Sequence, residues 1–118
     1  MKSKEIKTDK DLNDVALLFS EGATLVSVNY TAKSDGATVN DLRSATLEFS
    51  ANVTFRLKFS GINCLHLAPI AVGSISVSEV SVGRIGKLFF WADDPFFNVT
   101  EPDTSLSYVI AESVFVEI

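Results

Sequence analysis

From residue 47 to residue 59 the chain alternates without a fault. Leu47, Phe49, Ala51, Val53, Phe55, Leu57 and Phe59 share one parity. Thr46, Glu48, Ser50, Asn52, Thr54, Arg56 and Lys58 occupy the other. Successive side chains of a strand point to opposite faces, so the run predicts β structure with one buried and one wet face. One long strand satisfies the pattern, and so does a hairpin turning near Ser50-Ala51-Asn52. Arg56 and Lys58 fall on the wet face with Glu48, which reads as solvated mixed charge. Ser60-Gly61 closes the run.

A different period precedes it. Leu12, Val15, Ala16 and Phe19 follow the i, i+3, i+4, i+7 stripe of a short helix over residues 11–20. Asp9 or Asp11 can cap its start, and Gly22 follows its end. After residue 23 every segment reads as β. Leu25 to Tyr30 is rich in strand formers, and Ser34-Asp35-Gly36 is a turn signal. Ile62 to Leu67 is a short strand closed by Pro69. Ile75, Val77, Val80 and Val82 change parity between 77 and 80, which predicts a bulge or bend. Leu88 to Trp91 is apolar, and Asp94-Pro95 and Glu101-Pro102-Asp103 mark loops. From Leu106 to Ile118 the residues Leu106, Tyr108, Ile110, Val114, Val116 and Ile118 keep one parity, with Glu112 the exception.

Without crossover helices the strands must pair antiparallel. The expectation is a mainly β fold, α+β at the margin. A short N-terminal helix leads into a curled antiparallel sheet, sandwich or partly open barrel of six to eight strands. Residues 1–10, with four lysines and two acids, read as a flexible charged arm, and residues 11–118 as a single β-rich domain.

Composition narrows the function classes. A chain of 118 residues has room for one domain, and 47% hydrophobic content argues against disorder. The net charge of −5 argues against nucleic acid or an anionic membrane as partner. One cysteine and one histidine assemble neither an intrachain disulfide nor a zinc framework, and no cofactor is implied. The charged start is unlike a signal peptide, and no run approaches eighteen apolar residues, so the expected location is the cytoplasm.

Few constellations carry chemistry. Cys64 and His66 share a strand face, but residues two apart on a strand lie about 7 Å apart, too far for a ready dyad. Three Asn-x-Thr triplets, at Asn29, Asn52 and Asn98, read as strand composition rather than glycan acceptors. Gly83-Arg84-Ile85-Gly86-Lys87 lacks the Ser or Thr of a phosphate loop and reads as a turn. Asp93, Asp94, Glu101 and Asp103 form an acidic group with neither a calcium-loop pattern nor a glycosidase motif, and they read either as a pair of solvated turns or as part of a binding surface. They keep company with Phe89, Phe90, Trp91, Phe96 and Phe97. Aromatics rimmed by charge are the makings of an interface, so Trp91, Asp93, Asp94, Phe96, Phe97, Glu101 and Asp103 are the candidate partner-binding residues. Residues 88–118 hold six acids and no Lys or Arg, which points to a basic protein partner.

Three stretches carry a resemblance. They are Glu21 to Val28, Leu57-Lys58-Phe59-Ser60-Gly61-Ile62-Asn63-Cys64-Leu65, and Ile110 to Glu117. Over residues 20–118 the chain resembles a group of small bacterial proteins, some of them immunity proteins of polymorphic toxin systems. The histidine common in that group's opening strand is replaced by Ser20-Glu21. The resemblance implies a one-domain β fold and a protein partner, with no catalytic residue to transfer. The expected function is therefore non-catalytic protein binding, in an immunity-type role that neutralises a toxin by stoichiometric contact. A homo-oligomer-forming domain is the first alternative, favoured by a mean hydropathy of +0.26. A small-ligand binder or enzyme using a cavity in the curled sheet is the second.

Overall fold

The computed structural model describes residues 2–32, 43–68, 75–77, 79–101 and 106–118. The Ser34-Asp35-Gly36 turn, Pro69, Pro102 and Asp103 lie outside them. The elements are β1 (Ser3–Glu5), α1 (Asp9–Leu17), β2 (Ala23–Ala32), β3 (Arg43–Ser50), β4 (Thr54–His66), β5 (Ile75–Val77), β6 (Ser81–Ile85), β7 (Leu88–Ala92) and β8 (Tyr108–Glu117). Seven strands form one antiparallel sheet in the order β5-β2-β3-β4-β8-β7-β6, and β1 joins it through β8. The mainly β architecture with one short N-terminal helix is as the patterning predicts.

The alternating run is a hairpin. Phe49 faces Phe55 and Ser50 faces Thr54, leaving a three-residue loop. An odd loop in this register returns the second strand with its parity unchanged, which is why the sequence runs on as if through one strand. Glu48 and Arg56 meet across the wet face at 2.7 Å. β4 then differs from expectation, since it passes through Ser60-Gly61 and ends only at His66. Gly61 adopts φ +66° opposite Glu112 and turns the ladder over. Phe59 and Ile62 both reach the main core, as do Ala111 and Val114. The single parity expected for 106–118 therefore breaks at Glu112: Tyr108 and Ile110 lie on the outer face, and Val114 and Val116 in the main core.

Residues 1–10 are also not the expected arm. Ser3–Glu5 pairs with Phe115–Glu117. Ile6 is only 2% exposed, and its N–H donates to the Val114 carbonyl at 2.9 Å. Lys2 and Ile118 exchange both backbone bonds. One buried apolar residue and a row of backbone bonds hold a segment whose side chains are otherwise polar.

Thr8 opens α1 with a capping box: its hydroxyl accepts from the Asp11 N–H, and Asp11 Oδ2 accepts from the Thr8 N–H, both at 3.1 Å. Lys4 reaches Asp11 at 2.9 Å. These bonds, the Lys4 ammonium first, hold the Asp11 carboxyl well below the ordinary carboxylate range. Leu12 and Val15 turn inward, and Phe19 just beyond the helix is fully buried. Its ring meets Phe49 and Phe55 edge-on at 4.9 and 5.2 Å.

The parity change at 77–80 marks a bend, at Glu79, rather than a bulge. β5 and β6 are separate strands at opposite edges of the sheet. The four residue steps from Val77 to Ser81 reach at most ~14 Å. The two edges must therefore approach each other, and the sheet curls without closing. α1 packs against β6 at this seam, where Arg84 donates to the Lys7 carbonyl at 3.1 Å. Bulges occur elsewhere, between Leu25 and Ser27 and between Ile62 and Cys64. Inside the curl, Phe19, Phe49, Phe55, Phe59 and Trp91 fill the space. The void left beside Trp91 is about 10 Å³, room for one water at most.

Candidate functional site

β7 leaves the sheet at Ala92, and β8 re-enters at Tyr108 directly opposite. The excursion between them carries the predicted acidic and aromatic residues, and it is tied down at several points. The Asp93 N–H donates to the Ser107 carbonyl at 2.9 Å, and the Ser81 hydroxyl to the Asp94 carbonyl at 2.6 Å. Ser107 is itself buried, and its Oγ accepts from the Ala68 N–H at 3.0 Å. Phe97 packs against Phe90 and Tyr108, ring centres 5.3 Å from each. Gly83 stands opposite Phe90 because a Cβ there would lie 2.6 Å from the ring.

Two local turns shape the tip. Asp94 Oδ1 accepts from the Phe96 N–H at 2.9 Å, and Asn98 Oδ1 accepts from the Thr100 N–H and hydroxyl at 3.0 and 2.7 Å. One Asn-x-Thr triplet is thus turn chemistry. With Phe97 held inward, Phe96 points out and is 88% exposed, the most exposed of the large apolar side chains described. Asp94, bonded to the Phe96 N–H, and Asp93 and Glu101 are the acidic residues of the same loop. Burial first, then the Asp94 charge, raises the Asp93 carboxyl above its ordinary value.

The structure sorts the seven candidates. Trp91 is 1% exposed and lies in the main core against Phe49 and Phe19, so it is no contact residue. Its neighbours Phe90 and Ala92 face outward, and strand alternation sends the indole in. Phe97 is half-buried and supports the loop. Phe96 and Glu101 are exposed, Asp93 and Asp94 are half-buried, and Asp103 lies outside the described residues. Sequence reasoning missed four of the supports: Ser81, Gly83, Ser107 and Tyr108. Gly83 carried a signal, since a glycine within a strand marks a close approach.

Cys64 and His66 share the outer face, as their spacing predicts. The Cys64 thiol lies 3.9 Å from the Tyr108 hydroxyl. Burial first, then this thiol, raises Tyr108 above its ordinary value. His66 stacks on Tyr108, and its Nδ1 donates to the Leu106 carbonyl at 3.0 Å, which fixes the proton on that nitrogen. Both side chains brace the loop's base. Among the described residues no group of three His, Cys, Asp or Glu is arranged to hold a metal, and no helix is long and apolar enough to cross a membrane. Comparison with protein-family models, curated proteins and solved structures gives no match.

Proposed function

We propose that this protein is a non-catalytic binding module that engages another protein through loop 93–101, with Phe96 as its anchor. The observation that carries this reading is an 88% exposed phenylalanine on a loop fixed from beneath. Burying such a ring is worth about 1.5–3 kcal/mol. A loop already held in one conformation loses little freedom on binding, so more of that energy becomes affinity. Asp93, Asp94 and Glu101 ask for a basic rim around the partner's pocket, which speeds encounter and excludes acidic competitors. In the immunity-type form of this reading, the rim belongs to a toxin's basic active site.

A photo-crosslinking residue at position 96 tests the reading in the cells that make the protein. The expected result is one discrete adduct, absent from a control placing the same group at Val53, and weakened by Asp94→Asn with Glu101→Gln. No adduct at 96, or the same adducts from both positions, overturns it.

A further inference from the structure

The wet face of the sheet carries a hollow. It lies where β2, β3, β4 and the end of β8 run side by side, and it measures about 390 Å³, within the usual size of a small-molecule site. Cross-strand pairing sets its lining in two rows. Ser27, Glu48, Arg56 and Glu117 form one, and Asn29, Thr46 and Lys58 the other. Phe115 continues the second row directly beyond Lys58. It is half-buried, yet it belongs to neither hydrophobic cluster of the described residues. An aromatic ring thus stands beside a polar hollow, apart from both cores.

The polar groups are held but not satisfied. Arg56 Nε donates to Glu48 Oε1 at 2.7 Å, an ion pair that uses neither terminal nitrogen of the guanidinium. The Glu117 side chain is only 19% exposed, and the base nearest its carboxylate, Lys58, stands 3.8 Å away. Among the described residues no hydrogen bond reaches that carboxylate. A sheltered carboxylate without donors is destabilising.

We propose that this hollow binds a sugar, with one ring lying against Phe115 and its hydroxyls on Glu117 and Arg56. Charge selects this occupant. Within the hollow Glu48 and Glu117 cancel Arg56 and Lys58, and Glu5, across β8 from Lys58, is paired with Lys7 at 3.6 Å. An anion that meets Arg56 also meets two carboxylates, and a cation that meets Glu117 also meets two bases. A hydroxyl both donates and accepts. Two neighbouring hydroxyls of an uncharged ring can therefore serve the Glu117 carboxylate and the Arg56 guanidinium together. Asn29, Ser27 and Thr46 offer the same mixed chemistry, and the apolar C–H face of the ring packs on Phe115. Side chains already fixed by ion pairs lose little freedom on binding. The hollow lies at the Arg56–Glu117 pairing and loop 93–101 at the His66–Tyr108 pairing, about 30 Å apart along β4. The inference is therefore independent of Phe96.

Two-dimensional NMR of the full chain tests this, with glucose, galactose, mannose and N-acetylglucosamine as probes and acetate and methylammonium as charged controls. At least one sugar should give saturable amide shifts centred on Lys58, Phe115 and Glu117 at millimolar concentration, and neither ion should. Phe115→Ala and Arg56→Gln should each weaken that sugar at least ~10-fold, with unchanged thermal melts confirming the fold. Asn29→Ala, at an exposed position, should weaken it too and stands in if either variant fails to fold. Phe96→Asp should leave the sugar affinity unchanged. No saturable shift from any of the four sugars overturns the inference, and so does tighter binding of acetate or methylammonium. A sugar affinity that these three hollow variants leave unchanged overturns it as well. The crosslink at residue 96 reports on the loop alone, so either reading can fail while the other stands.

Discussion

Gly61→Ala probes the point where β4 and β8 turn over together. Two costs add. At φ +66° a residue with a Cβ loses about 1–2 kcal/mol relative to its ordinary backbone regions. The new Cβ would also lie 2.6 Å from Glu112 Oε2 and 2.9 Å from Glu112 Cβ. The carboxylate can swing away, whereas the Cβ is fixed to the backbone of the paired strand. Overpacking of this kind costs about 1–3 kcal/mol. Restricting the unfolded chain returns about 0.4–1 kcal/mol. The net expectation is a loss of about 2–4 kcal/mol, or ~8–16 °C in Tm for a chain of this size. Gly86→Ala is the reference, because Gly86 has φ +59° and nothing within 4 Å of the built Cβ. It carries the backbone cost alone, so about 1 kcal/mol net. Urea melts of both variants followed by circular dichroism give the comparison. If Gly61→Ala loses no more than Gly86→Ala, the close approach to Glu112 is not a constraint and the reasoning is wrong.

Phe19→Ala removes the fully buried ring that seats α1 in the aromatic core, and should cost about 3–5 kcal/mol in the same melts; a loss under about 1 kcal/mol makes the helix a peripheral attachment. Asp11 titrates below its ordinary value in the fold, so its contribution is complete above the ordinary 3.8 and fades as pH falls toward the folded value. Asp11→Asn should therefore be less stable than wild type at pH 7, with the gap narrowing below about pH 5; a pH-independent gap contradicts the role of the Lys4 bond. Asp93 has the opposite sign. Its raised carboxyl gives stability that is lost as pH rises through the folded value. Asp93→Asn should be the more stable protein at neutral pH, with the advantage vanishing in acid.

Much of this architecture could be read from the chain because burial and strand period coincide. The hairpin of β3 and β4 is the clear case, with Leu47, Phe49, Phe55, Leu57 and Phe59 all buried on one side. The readings fail where backbone bonding decides. Ser3–Glu5 carries no apolar pattern, yet its peptide groups complete the flank of β8. Ser60-Gly61 looks like a stop because glycine often ends strands, but here glycine permits the strand to continue through a turnover. At the site, the acids and Phe96 were legible as a surface. Trp91 was not separable from them, since a run of three aromatics does not reveal which member alternation sends inward.

The place of β8 in the sheet has a consequence for assembly during synthesis. β4 flanks it on one side, while β7 and then β1 share the other, so three elements made earlier wait for the same ten residues. Until Tyr108–Glu117 emerges, the chain can hold two separate pieces, β5-β2-β3-β4 and the β6-β7 hairpin, each with a bare edge. Bare edges invite pairing between chains. Insertion of the last-made strand at the centre is therefore the step that turns two adhesive fragments into one molecule, and its speed sets how long a nascent chain stays exposed to its neighbours.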